Sequence, residues 1–162
     1  MRYSVTRIIH FCYGHRLLRY QGKCRYLHGH NGRVEIELSA EALDRLGMVE
    51  DFTEIKRAIQ GWIDQCLDHK MILCQEDPAL PMLKKLGEPV FVMVENPTAE
   101  NIAKLIYHET ARFGFPVTQV RLWETESSCA IYRPVTARPR RRRSRDAEPG
   151  RTRRTRSTST AA

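Results

Sequence analysis

The run His28-Gly29-His30-Asn31-Gly32-Arg33-Val34-Glu35-Ile36-Glu37-Leu38 is compatible with very few local structures. Val34, Ile36 and Leu38 alternate with Arg33, Glu35 and Glu37. That period of two describes a strand with one buried and one wet face. His28 and His30 have the parity of the apolar set, so two imidazoles point the same way as the core. A bulge at Gly29 or Gly32 would shift that parity.

Upstream, Tyr3 to Tyr13 is rich in β-branched and aromatic residues, with Val5, Ile9, Phe11 and Tyr13 on one parity. It reads as a strand, and His15 continues its parity. Arg16 to Leu27, basic and containing Gly22, reads as the loop between the two strands. Neighbouring strands thus offer three imidazoles, His15, His28 and His30. Three neutral imidazoles around Zn²⁺ leave one tetrahedral position open, which marks a catalytic rather than a structural zinc. Three unrelated histidines are the competing reading; the His-x-His pair with a third on an adjoining strand favours metal. Cys24, four residues before His28, is on one reading a small buried hydrophobe. On the other, Lys23, Arg25 and a nearby cation lower its pKa and make it a general base.

Asp51-Phe52-Thr53-Glu54 has capping-box spacing. Ile55, Ile59, Trp62, Ile63 and Cys66 follow at helical intervals, predicting a helix from about Thr53 to Leu67. Asp68-His69-Lys70 closes it. Consecutive helical side chains diverge, so Asp68 and His69 form a dyad only if the helix ends there; otherwise His69 and Lys70 are cations suited to a helix C-terminus. A helical turn is expected in Glu41–Gly47. Residues 71–88, with Pro78, Pro81 and Gly87, read as loop with one turn around Met82–Leu86. Val90–Val94 reads as a short strand. Thr98 is an N-cap with Glu100 in the first turn of a helix carrying Ile102, Leu105, Ile106 and Phe113. Strands follow at Val117–Glu124 and Ser128–Arg133. Glu124, on the parity of Val120 and Leu122, either faces solvent at a sheet edge or is a buried acceptor for a ligand's N–H groups. The order strand, strand, helix, helix, strand, strand predicts an α+β domain with an antiparallel sheet.

A chain of 162 residues suffices for one domain with its own core. The net charge of +8 lies wholly in ten arginines between Arg138 and Arg156, opposed by Asp146 and Glu148; the other residues hold 17 basic and 17 acidic side chains. A nucleic-acid or polyanion partner is therefore confined to the Arg-rich tail, 136–162, where aliphatics nearly vanish and disorder is expected. No run approaches the ~20 apolar residues of a membrane span, and no signal peptide opens the chain. Five irregularly spaced cysteines suit a reducing cytoplasm better than a disulfide framework.

Taken together, Phe11 to Leu17, Cys24-Arg25-Tyr26-Leu27-His28-Gly29-His30-Asn31, Gly47-Met48-Val49-Glu50-Asp51-Phe52, Leu67-Asp68-His69, Pro97-Thr98-Ala99-Glu100-Asn101 and Trp123-Glu124-Thr125 form an ordered motif set. It resembles the 6-pyruvoyltetrahydropterin synthase / 6-carboxytetrahydropterin synthase family from about Tyr3 to Arg133. The resemblance implies a T-fold domain over residues 1–135: two antiparallel β-hairpins flanking a helix pair, with subunits closing into a barrel, commonly as a hexamer. It implies Zn²⁺ on His15, His28 and His30, and Cys24 as proton-abstracting base. Asp68 and His69 would be acid/base partners from across a subunit interface. Glu124 would anchor the pterin, with Thr98 and Glu100 helping to line its pocket. The three-residue gap between Cys24 and His28 resembles the bacterial carboxy-forming members. Those cleave 7,8-dihydroneopterin triphosphate to 6-carboxy-5,6,7,8-tetrahydropterin, acetaldehyde and triphosphate, on the way to queuosine. The pyruvoyl-forming members, which eliminate triphosphate, typically have a longer gap. Arg16, Lys23, Arg25 and Lys56 are candidates to meet the triphosphate. The sequence departs from the family pattern at Cys12-Tyr13-Gly14 and at Leu73.

Overall fold

The two longest strands, β1 (Tyr3–His15) and β2 (His28–Ala40), pair antiparallel along their whole length without a bulge. The parity read from the sequence therefore survives intact. Ile9, Phe11, Tyr13, Val34, Ile36 and Leu38 are buried on one face, and His15, His28 and His30 extend that face at the loop end of the hairpin. In the 16–27 connection, Lys23–Arg25 forms one tight 3₁₀ turn. The structure, a computed structural model, describes residues 2–135. The expected disordered tail, and any nucleic-acid contact through it, lies outside the described residues.

The next element is one helical run in three parts: α1 (Phe52–Ile55), a wide π-spaced turn (Lys56–Gln60) and α2 (Gly61–Cys66). Asp51 caps it by accepting from the Thr53 N–H at 2.7 Å. Its buried stripe is Ile55, Ile59, Ile63 and Leu67, each four residues from the last. At 3.6 residues per turn a strict four-residue repeat drifts by about 40° per step. The wide turn absorbs part of that drift and keeps the stripe on the sheet.

Three expectations are corrected. Residues 71–88 hold more than loop: β3 (Lys70–Cys74) runs into them, and the turn expected around Met82–Leu86 is part of a helix, α3 (Leu80–Leu86). Ile72, Leu73 and Cys74 are all buried, so β3 shows no alternation, the usual case for a strand covered on both faces. In α3 Pro81 sits in the first turn, where its missing N–H costs nothing, and Gly87 (φ 78°) ends the helix in the left-handed region. Nor is the sheet purely antiparallel. Its order is β4-β3-β1-β2-β5-β6, and β3 pairs parallel with both β1 and β4 (Val90–Met93). In place of a helical turn at Glu41–Gly47, Asp44 Oδ1 accepts from the Leu46 and Met48 N–H groups at 2.8 and 2.9 Å.

The chain finishes with α4 (Ala99–Arg112) and the hairpin β5 (Val117–Thr125) and β6 (Ser128–Tyr132). Ile102, Ala103 and Ile106 of α4 join the α1–α2 stripe in one core over the sheet. Burial of each such side chain is worth roughly 1.5–3 kcal/mol. The α+β T-fold class expected from the motifs is the architecture observed.

One buried ion pair anchors the loop beyond β1. The Arg16 guanidinium donates to both Asp77 oxygens, 2.7 Å from Nε to Oδ2, and the Asp77 side chain is fully buried. Burial alone would raise the Asp77 pKa, but the Arg16 hydrogen bonds, the Ala79 N–H and the guanidinium charge hold it below the usual carboxylate range. A carboxyl depressed on folding stabilises the native state above its unfolded pKa of about 4, and the contribution disappears as pH falls through the folded value. Asp77→Ala is thus expected to cost about 3 kcal/mol at pH 7, from a broken buried pair, with a deficit that narrows in acid. Urea unfolding at both pH values checks this; an unchanging deficit would assign the loss to packing instead.

Candidate active site

Antiparallel register sets His15 opposite His28 and Tyr13 opposite His30, so three imidazoles gather at one end of the β1–β2 ladder. Their ring centroids are 4.5 to 5.0 Å apart, and one nitrogen from each lies within 4.8 Å of the others. Carbonyl oxygens fix two tautomers. His15 Nδ1 is 2.7 Å from the Pro97 carbonyl oxygen and His28 Nδ1 is 2.8 Å from that of Tyr26. A carbonyl only accepts, so both Nδ1 atoms carry hydrogen, and in the neutral rings that metal ligation requires both Nε2 atoms hold bare lone pairs. Those Nε2 atoms face each other at 3.1 Å, while His30 Nε2 is buried without a hydrogen-bond partner among the described residues. Two opposed lone pairs and an orphaned third are unfavourable as they stand, and a divalent cation among them satisfies all three. Burial, with some help from His28 and His30, lowers the His15 pKa against the pull of Pro97 and Glu124, so the ring is neutral as a ligand must be. The donor set fits Zn²⁺.

Glu124 stands beside the cluster. Its Oε1 accepts from the Tyr13 hydroxyl at 3.1 Å and lies 3.6 Å from His15 Nε2 and 4.0 Å from His30 Nε2. Burial, reinforced by the Glu124 charge and hydrogen bond, raises the Tyr13 pKa strongly, so the phenol remains a donor. Oε2 accepts nothing from the described residues, and Glu124 borders a cleft with Trp123, Thr125, His30 and Arg33. Of the two readings left open by the sequence, a half-buried acceptor fits better than an edge residue.

Asp68 and His69 do form a dyad, because the helix stops at Cys66. His69 adopts φ 53°, left-handed and uncommon for a residue with a side chain. The chain turns there, and His69 Nδ1 comes 2.7 Å from Asp68 Oδ2. Burial opposes ionisation of Asp68, but the Cys12 N–H and the His69 hydrogen bonds outweigh it and keep the carboxyl below its ordinary pKa. His69 borders a second cleft, of about 630 Å³, with Cys12, Gly14, Gly29, Asn31 and Met71.

Cys24 is half-buried on the 3₁₀ turn, its carbonyl accepting from the Leu17 N–H at 2.8 Å, and it borders neither described cleft. Thr98 caps α4 by accepting from the Asn101 N–H at 3.3 Å, and Glu100 lies in the first turn. Neither lines the described clefts, yet Pro97, the residue before Thr98, is the one that orients His15. Arg16 is committed to Asp77. Sequence reasoning missed three supports: Tyr13, Cys12 and Asn96, whose side chain pairs with both backbone groups of Leu18 at 2.8 and 3.0 Å. Tyr13 was findable, since it shares the parity of His15; Cys12 and Asn96 follow no pattern.

Sheet order, flanking helices and the imidazole cluster at the hairpin end define a T-fold protein. The chain belongs to the 6-pyruvoyl tetrahydropterin synthase family, whose model matches residues 4–135. The 6-carboxy-5,6,7,8-tetrahydropterin synthase of Rickettsia bellii is 42% identical over 127 residues, which cover 74% of this chain and 92% of that protein. The synthase of the same name from Aquifex aeolicus is 30% identical, covering 82% and 99%. Among solved structures, an uncharacterized protein from Wolinella succinogenes superposes with TM-score 0.70 at 27% identity, covering 82% of this chain and 98% of its own. The 6-pyruvoyl tetrahydropterin synthase of Caenorhabditis elegans, at 22% identity and TM-score 0.63 over 83% and 96%, shares the fold.

Proposed function

We propose that this protein is a zinc-dependent carbon–carbon lyase that converts 7,8-dihydroneopterin triphosphate to 6-carboxy-5,6,7,8-tetrahydropterin, acetaldehyde and triphosphate, serving queuosine and related deazapurines. The observation that carries the reading is the convergence of three imidazole lone pairs beside a carboxylate with a free oxygen. The names of the bacterial relatives and the short gap between Cys24 and His28 support the carboxy-type product.

His15, His28 and His30 would hold the Zn²⁺, which when bound would supply Lewis-acid polarisation of the substrate's hydroxylated side chain. Glu124 receives the N–H groups of the pterin ring through the oxygen that Tyr13 does not engage, and so orients the flat heterocycle. Cys24, flanked by Lys23 and Arg25, takes a C–H proton as thiolate. His69, held by Asp68, delivers and accepts protons at its imidazole. The partnership of Cys24 with Asp68 and His69 is proposed to form across a subunit interface. The sheet ends in β4 and β6, whose Val92 and Ile131 are exposed, as is Val94 just beyond β4. Such edges suit closure with further copies into a barrel, for which a hexamer is the proposed form. Among the described residues no helix is long and apolar enough to cross a membrane, and the proposed setting is the reducing cytoplasm.

The alternative within the family is the pyruvoyl-type elimination of triphosphate. Zinc-loaded protein incubated with dihydroneopterin triphosphate and resolved by mass is expected to yield the 6-carboxy pterin and acetaldehyde. A pyruvoyl pterin without acetaldehyde would replace the first reading by the second.

A further inference from the structure

Cys12 lies on the face of β1 opposite His15. Its surroundings are organised. Asp68 Oδ1 accepts from the Cys12 N–H at 2.8 Å and the His69 N–H donates to the Cys12 carbonyl at 2.6 Å, clamping the turn after α2 onto β1. That clamp brings Cys12 Sγ, an Asp68 oxygen and a His69 ring nitrogen within 4.8 Å of one another. Asn31 Oδ1 accepts from the Cys12 thiol at 3.0 Å, a further oxygen at the edge of the set. Cys12 is exposed and the His69 side chain is 78% exposed, so an ion has an open path.

We propose that Cys12, Asp68 and His69 form a second, independent site for a borderline divalent transition metal such as Zn²⁺ or Co²⁺, and that its occupation blocks the dyad. A thiolate, a carboxylate and an imidazole are the sulfur, oxygen and nitrogen ligands that Zn²⁺ accepts, with water completing four. The two segments are already tied by the His69 N–H on the Cys12 carbonyl and the Cys12 N–H on the Asp68 carboxylate, so binding needs little reorganisation. Side chains of adjacent strand residues point to opposite faces, so the ion at Cys12 is not the one held on the inner face by the three histidines. Binding displaces the thiol proton to solvent and takes up the His69 nitrogen or its Asp68 partner, which removes the pair from proton transfer. The blockade, though not the site, rests on the role of Asp68 and His69 proposed above.

Cobalt separates the two sites. The three-histidine centre has no sulfur, so thiolate-to-cobalt charge-transfer absorption reports the second site alone. Full-length protein titrated with Co²⁺ is expected to take up two ions per chain and to develop this absorption. Cys12→Ser is expected to retain one ion and lose the absorption, and Cys24→Ser to keep both. One ion per chain in the unmodified protein, or absorption lost with Cys24 instead of Cys12, overturns the site. For the blockade, excess Zn²⁺ is expected to suppress turnover of dihydroneopterin triphosphate in the unmodified protein but not in Cys12→Ser, each measured against its own turnover at one equivalent. Two ions bound through Cys12 with undiminished turnover overturn the blockade. Absence of turnover at every metal level, with the Cys12 absorption present, overturns the proposed activity and leaves the site standing.

Discussion

Replacing His28 with alanine is expected to strip the metal from the three-histidine centre and reduce turnover by more than ~100-fold while the protein stays folded, because disturbing even an outer-shell partner of a metal ligand costs 10- to 100-fold. His28 is the right position for the test. It is half-buried at the last rung of the β1–β2 ladder, whereas His15 is buried and tied to Pro97. Truncation at residue 28 removes the nitrogen that faces His15 at 3.1 Å and leaves the core beneath Tyr13 and Val34 in place. Metal analysis, thermal unfolding and a product assay read the three consequences separately. A variant holding a full equivalent of tightly bound zinc at the inner face, with normal turnover, would remove the histidine centre from the mechanism.

Cys24→Ala is expected to do the reverse: metal content and unfolding temperature stay as in the unmodified protein, and kcat falls by about 10²- to 10⁴-fold, the usual worth of a positioned general base. Cys24 sits on a short turn and contributes to none of the six strands, so loss of its sulfur does not strain the sheet. Cys12→Ala is the internal control, a thiol removed from the opposite side of β1. If turnover survived without Cys24, the thiolate would drop out of the scheme, and the base would have to come from elsewhere in the site.

How much of this was legible beforehand depended on whether a pattern had room to repeat. The histidine centre was readable because thirteen unbroken rungs carry the parity of Val34, Ile36 and Leu38 out to His28, and that of Phe11 and Tyr13 out to His15. The α1–α2 stripe was readable for the same reason at helical spacing. By contrast, β3 offers only Lys70 to Cys74, too few residues for alternation, and burial on both faces erases it anyway. The Asp68–His69 dyad depended on one backbone angle, the positive φ of His69, which tertiary context rather than local propensity decides. Cys12 came to the dyad through hydrogen bonds between residues 56 apart, which no local spacing announces.

The shared ladder has an evolutionary consequence. A single residue inserted between Tyr3 and Tyr13 would rotate every later side chain of that strand by half a pleat, turning His15 outward along with the aromatic rings beneath it. Reactivity and solubility would be lost in one mutational step. Length variation among descendants of such a chain is therefore channelled into residues 16–27, where both anchoring rungs hold firm however the span between them grows or shrinks.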